Sequence, residues 1–175
     1  MDYSKPTRNI QSLTRGVRGK KGLTGIDTVN LNLHRVLDQV KDKSLAGMVD
    51  ASIVIRRDME DTPPTIPMDL GNLRASWFTT SRKGGGSNRK FVGKNAGKFA
   101  AERSSAIAST RAVVNAQKEP SLIMGFSANY AAPIHEMVGV NFKKKGSGAK
   151  FFQSALARNT KLILKIIKAT VVIRP

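Results

Sequence analysis

From residue 27 onward, apolar residues return every three or four positions: Val29, Leu33, Val36 or Leu37, Val40, then Leu45, Val49 and Ile53. This spacing puts them on one side of a helix. Asp27 and Thr28 supply side-chain oxygens suited to capping its first amides. Gly47 costs such a helix about 1 kcal/mol relative to alanine, so a bend or break is expected there. His34 lies beside the stripe with no second histidine one turn away, and reads as a packed or surface side chain rather than a ligand. Pro63 and Pro64, in "RRDMEDTPPTIP", end the helix because proline restricts the residue before it and cannot continue the ladder.

The period then changes. Leu73, Ala75, Trp77 and Thr79 alternate with Arg74, Ser76, Phe78 and Thr80, the two-residue period of a strand, and Leu122, Met124 and Phe126 repeat it. Between these lie a glycine-rich basic loop or hairpin tip at 82–98, "RKGGGSNRKFVGKNAGK", and a helical stretch at 99–118 with a weak apolar face. A short helix is expected at about 130–138, followed by the basic turn "NFKKKGSGAK". Phe152, Ala155, Leu156, Asn159, Leu162, Ile163, Ile166 and Ile167 then share one helical face, away from Lys161, Lys165 and Lys168. Each large side chain on that face stabilises the core by about 1.5–3 kcal/mol if fully buried. The closing "TVVIR" reads as a terminal strand.

These elements predict an α+β fold: a small, mainly antiparallel sheet packed against a long N-terminal helix and an amphipathic C-terminal helix. Residues 27–175 form a single domain with a loop and helix inserted at about 82–118. Residues 1–26 carry six Lys and Arg among four glycines and few large apolar side chains. They read as a basic flexible arm, because such a segment buries too little surface to offset its ordering entropy.

The net charge of +18 on 175 residues is unevenly placed. Nine of the twelve acids lie between Asp2 and Asp69, whereas residues 70–175 hold 19 Lys and Arg against Glu102, Glu119 and Glu136. Such a field attracts nucleic acid, anionic membrane or acidic protein surfaces without choosing among them. The candidate basic contacts are Arg82, Lys83, Arg89, Lys90, Lys94 and Lys98 in the long loop, and Lys143, Lys144 and Lys145 in the second basic turn. Cysteine is absent, which excludes disulfides and thiolate chemistry. No run of 18 apolar residues and no secretory signal occur, so neither a membrane span nor export by that route is expected.

Catalytic patterns fail on inspection. "HEMVG" has Gly139 where a zinc-protease helix needs its second histidine. "GFSAN" has Asn129 where a nucleophile elbow closes on glycine. "GKNAGKF" sets its glycines one residue too close for a phosphate loop and places no Ser or Thr after Lys98. The expectation is therefore a protein that is not an enzyme, with no catalytic residues, cofactor or metal. Base-reading nucleic-acid modules are also missing, since Phe91, Phe99 and Phe142 are the only aromatics among the basic segments.

"MDLGNLRASW", residues 68–77, is the densest mixture of polar chemistry. Gly71 can take a positive φ and turn the chain. Asp69 and Asn72 can bond nearby backbone amides as turn residues do. Arg74 and Ser76 then project from one strand face while Leu73 and Trp77 pack on the other.

This stretch resembles the "TGnLr-S" signature that opens the sheet in tail-component proteins of tailed bacteriophages, the tail-completion or head–tail joining proteins of virion necks. "MGFSANYAAPIHEMVG" resembles that family's strand ending in "YA…vEfGT", and "KKKGSGAKFFQSALARN" resembles its "PF…pAl" approach to the C-terminal helix. The resemblance covers roughly residues 60–170. Asp69-Leu70 departs from the family's threonine before the glycine, Met137-Val138-Gly139 from its Phe-Gly-Thr, and Lys150 from its proline.

The resemblance implies a structural virion protein, made in the host cytoplasm. It would form a homo-oligomeric ring in the neck, meeting the phage connector and tail proteins around the DNA channel, with non-specific contact to the genomic DNA open and no membrane partner. Asp69, Gly71, Asn72, Arg74, Ser76, Tyr130 and Glu136 become candidate turn or subunit-interface residues. Tyr130 and Glu136 keep a second reading, in which Tyr130 covers the core edge and Glu136 pairs with a local base such as Lys143. The alternative for the whole chain is a basic accessory protein that binds nucleic acid non-specifically.

Overall fold

A computed structural model describes residues 25–87 and 89–172. The predicted arm therefore lies outside the described residues except for Gly25 and Ile26, which belong to the first helix. The order of elements is α1 (Gly25–Asp61), α2 (Asn72–Ala75), β1 (Trp77–Ser81), β2 (Gly84–Gly86), α3 (Ala96–Ala116), β3 (Leu122–Phe126), α4 (Ala131–Glu136) and α5 (Phe151–Val171). The fold is α+β, with one antiparallel sheet of order β2-β1-β3.

Helix α1 is continuous through Gly47, so of the expected bend or break no break occurs. Its 37 residues span about 55 Å at 1.5 Å per residue. Asp27 and Thr28 stand inside its first turns rather than before them. Gly47 is buried where α5 crosses, and a Cβ built there would sit 3.0 Å from the Ile167 Cα and 3.2 Å from Thr170. The glycine is thus a notch for the second helix.

The two long helices run antiparallel. Asp58 meets Arg158, Gly47 meets Ile167 and Thr170, and the Lys43 ammonium donates to the Val172 carbonyl at 2.8 Å. Steps forward along α1 therefore match steps back along α5. Arg158 also donates to the carbonyls of Pro63 and Thr62, so it fastens α5 to the turn that ends α1.

Strand β1 is the buried centre of the sheet. Trp77 pairs with Phe126, Thr79 with both Met124 and Gly86, and Thr80 with both Ile123 and Gly85. One face carries Trp77 into a core of Ile55, Met59, Ile66, Leu73, Ala128, Ala131, Phe151 and Ala155. The other face turns Thr80 toward α3, where the Thr110 hydroxyl donates to the Thr80 hydroxyl at 3.2 Å. Edge-to-face aromatic contacts join Trp77 to Phe126 and Phe152, at centroid separations of 5.2 and 5.7 Å.

Three local expectations change. Asn72–Ala75 is a helical turn, so the strand begins at Trp77 rather than Leu73. Thr170 and Val171 continue α5 rather than forming a terminal strand, and residues 173–175 lie outside the described residues. The apolar face of α5 is only partly covered: Phe151 and Ala155 are fully buried, whereas Leu156 and Leu162 are exposed. Among the described residues, no helix is long and apolar enough to cross a membrane.

Candidate functional site

The chain leaves α1 through Pro63 and Pro64, and Thr65 pairs with the second basic turn. Its amide donates to the Gly146 carbonyl at 2.8 Å, and its carbonyl accepts from Gly148 at 3.2 Å. Ile66 and Pro67 are buried, but Met68 and Leu70 are turned outward. Gly71 then adopts φ 81°, ψ 1°, a left-handed conformation that costs an L-residue about 1–2 kcal/mol. That turn starts α2, with the Ala75 amide donating to the Gly71 carbonyl at 3.0 Å.

Asn72 does not bond a nearby amide. Its side-chain amide donates to the Val92 carbonyl at 3.0 Å and accepts from the Val92 amide at 2.9 Å, 20 residues away. Asp69 likewise finds a distant partner, the Lys143 ammonium at 3.0 Å. Both side chains of that pair are largely exposed, so solvent screening leaves it at most about 1 kcal/mol. These links draw the opening motif, the long basic loop and the second basic turn around one cleft of about 520 Å³.

Leu70, Val92, Phe99, Tyr130, Ile134 and Phe142 give the cleft an apolar lining, with Lys94 and Lys143 beside Asp69 among its polar groups. Phe91, Phe99 and Tyr130 form an aromatic row, with successive centroids 5.6 and 5.9 Å apart. Arg103 braces this row from α3. Its guanidinium carbon lies 4.7 Å from the Phe91 centroid, while Nη1 donates to the carbonyls of Ala75 and Arg89. Burial pushes the Tyr130 phenol above its ordinary pKa, and the nearby Glu102 charge adds to that.

The other candidates lie apart from the cleft. Ser76 is wholly buried, with its hydroxyl donating to the Leu73 carbonyl at 2.8 Å and its carbonyl accepting from the Ser127 amide at 2.9 Å. Arg74 reaches the Glu60 carbonyl at 3.4 Å rather than projecting from a strand. Glu136 pairs with Lys150 and lies 2.8 Å from His135 Nδ1, not with Lys143. Hydrogen bonds from Lys150 and His135 hold its carboxyl below the ordinary range.

The basic residues also divide. Arg82 and Lys83 stand at the β1–β2 turn, where Lys83 meets Asp42 at 2.9 Å and Arg82 donates to the Gln117 carbonyl. Arg89 binds Glu60 at 2.7 Å. Lys90, Lys98 and Lys145 are exposed and Lys144 is half-buried. Sequence reasoning does not single out Arg103 or Val92, since neither belongs to a motif. Their roles arise from contacts across 14 to 28 positions.

Chemically, the cleft offers aliphatic and aromatic surface with ammonium groups at its margin. Such a lining can hold an apolar group that bears a carboxylate. Among the described residues, no group of three or more His, Asp or Glu side chains is arranged to hold a metal ion. No protein-family model matches the chain, and comparisons with curated proteins and with solved structures find no match either.

Proposed function

We propose that this chain is a structural protein of a tailed-phage neck, forming a ring that completes the tail or joins it to the head connector around the DNA channel. The observation that supports the reading is the meeting of three sequence segments whose order resembles that of neck proteins. The Ser127 amide binds the Ser76 carbonyl, Lys143 meets Asp69, and the Lys150 amide binds the His135 carbonyl at 2.7 Å. Segments scattered over some 90 positions thus make one packing unit, as a shared domain requires.

In this reading the chain is not an enzyme and needs no cofactor. Its partners are further copies of itself and the acidic rims of adjoining connector and tail proteins, which the lysine-edged cleft and the exposed Lys90, Lys98 and Lys145 would meet. Heterologous contacts between copies close into a ring when their rotation permits. The virion neck is the final location, with assembly in the host cytoplasm.

Electron microscopy of particles assembled without the protein tests the proposal. Filled heads beside complete, unattached tails are the expected outcome. Normal virions would overturn the joining role. Heads defective in DNA filling would favour the second reading, a nucleic-acid-binding accessory, which the charge of +18 keeps in view.

A further inference from the structure

The first turns of α1 project beyond the helix that covers the rest of it. Lys43 lies opposite Val172, where α5 ends, so among the described residues none of α5 lies across from residues 25–40. That overhang is about 24 Å long at 1.5 Å per residue. It is apolar on one side: Ile26, Val29, Leu33 and Leu37 are 75, 66, 54 and 45% exposed.

At 3.6 residues per turn, these four fall on the same side of α1 as Gly47, Ala51, Ile55 and Asp58. The first and last of those meet α5 directly, and Ala51 and Ile55 are buried in the same line. Among the described residues, this exposed stripe therefore continues the line of the α1–α5 interface, with Val40 and Ser44 between the two parts. The positions 26, 29, 33, 36 and 40 also step by three and four, the repeat that lets one helix seat its side chains between those of another.

We infer that the overhang pairs with the overhang of a second copy of this chain, antiparallel and related by a two-fold axis near Leu33. In that arrangement each α1 takes, against its partner, the line that α5 occupies farther along. The antiparallel helix pair then runs through both subunits without a gap in its apolar seam. A two-fold contact uses the same patch on both sides and demands self-complementarity. A uniform aliphatic stripe flanked by Asn30 and Asn32 rather than by the chain's many cations meets that demand.

Because the seam is uncharged while each chain carries +18, added salt screens the repulsion between copies and removes little attraction. Dimerisation should strengthen as salt rises, the opposite of an association driven by the basic segments. This two-fold contact is a different surface from the heterologous contacts that would close a ring, and it does not rest on the neck reading, since it is read on the purified protein rather than in particles.

The test is sedimentation of the full chain across a concentration and salt series, with a cysteine probe beside it. A reversible dimer favoured by salt is expected, and Leu33→Glu should raise its dissociation constant by about tenfold or more. The chain has no cysteine of its own, so Leu33→Cys gives a clean readout. Oxidation should link two copies through position 33, whereas Asp50→Cys, on the exposed outer side of α1, should not link. A protein that stays monomeric throughout would overturn the inference, as would a dimer indifferent to Leu33→Glu or a cross-link formed equally from position 50. Circular dichroism unchanged in Leu33→Glu excludes unfolding as the cause of a lost dimer.

Discussion

Gly47 of α1 and Ile167 of α5 approach so closely that a Cβ on the glycine would stand 3.0 Å from the Ile167 Cα. The neighbouring atom is backbone, so a larger side chain must push the whole helix away. Gly47→Leu should therefore destabilise the fold by about 1–3 kcal/mol, the usual cost of overpacking. Urea unfolding checks this. Stability unchanged in the leucine variant would mean that the helices do not cross here.

Arg158 reaches Asp58 through Nη2 at 2.5 Å and Nε at 3.1 Å. Burial by itself raises the Asp58 carboxyl, but hydrogen bonds from Arg158, Asn159 and Thr62, together with the Arg158 charge, outweigh it and lower the pKa. The ionised form is therefore favoured in the folded protein. Its contribution is complete above the ordinary Asp range and is lost as pH falls through the lowered folded value. Asp58→Asn should be less stable at neutral pH, and the gap should close below about pH 4. Thermal unfolding followed against pH would reveal it; a gap that widens in acid contradicts the assignment.

Gly71 at φ 81° is the hinge of the opening motif. Nothing lies within 4 Å of a Cβ added there, so the cost of a substitution is conformational alone. Gly71→Ala should lose about 1–2 kcal/mol, and Gly71→Asn less, because asparagine tolerates the left-handed region better. Equal losses in both variants would point to crowding instead.

The charge of +18 makes some attraction to duplex DNA unavoidable at low salt. If the protein chiefly meets protein rims, binding should be weak and vanish by physiological ionic strength. The accessory reading requires affinity that persists there, with log affinity falling against log salt by about 0.9 per phosphate neutralised. Fluorescence anisotropy with a labelled duplex separates the two.

The long helices are legible in the sequence because 21 to 37 residues of one period leave little choice of structure. The segment at Leu73 is not. Leu73 and Trp77 lie four apart, a spacing that shares a face in both a helical turn and a strand, so alternation over so short a window cannot decide. The left-handed Gly71 and the bond from the Ser76 amide to the Asn72 carbonyl decide it for the helix. Coverage is also illegible: the periodicity of α5 names Leu162 as a core-facing position, yet it remains 44% exposed. The cleft joins Asp69, Val92, Tyr130 and Lys143, whose separations in sequence carry no local signal.

The Asn72 amide, facing Val92 with one donor and one acceptor, has the polar pattern of a peptide unit. It closes with the Val92 backbone the same pair of hydrogen bonds that two residues exchange across an antiparallel ladder. A single side chain thus stands in for a missing strand. The long loop is consequently stitched to the motif without the edge a real strand would expose, so this corner offers no row of unpaired amides and carbonyls to which a further strand could add.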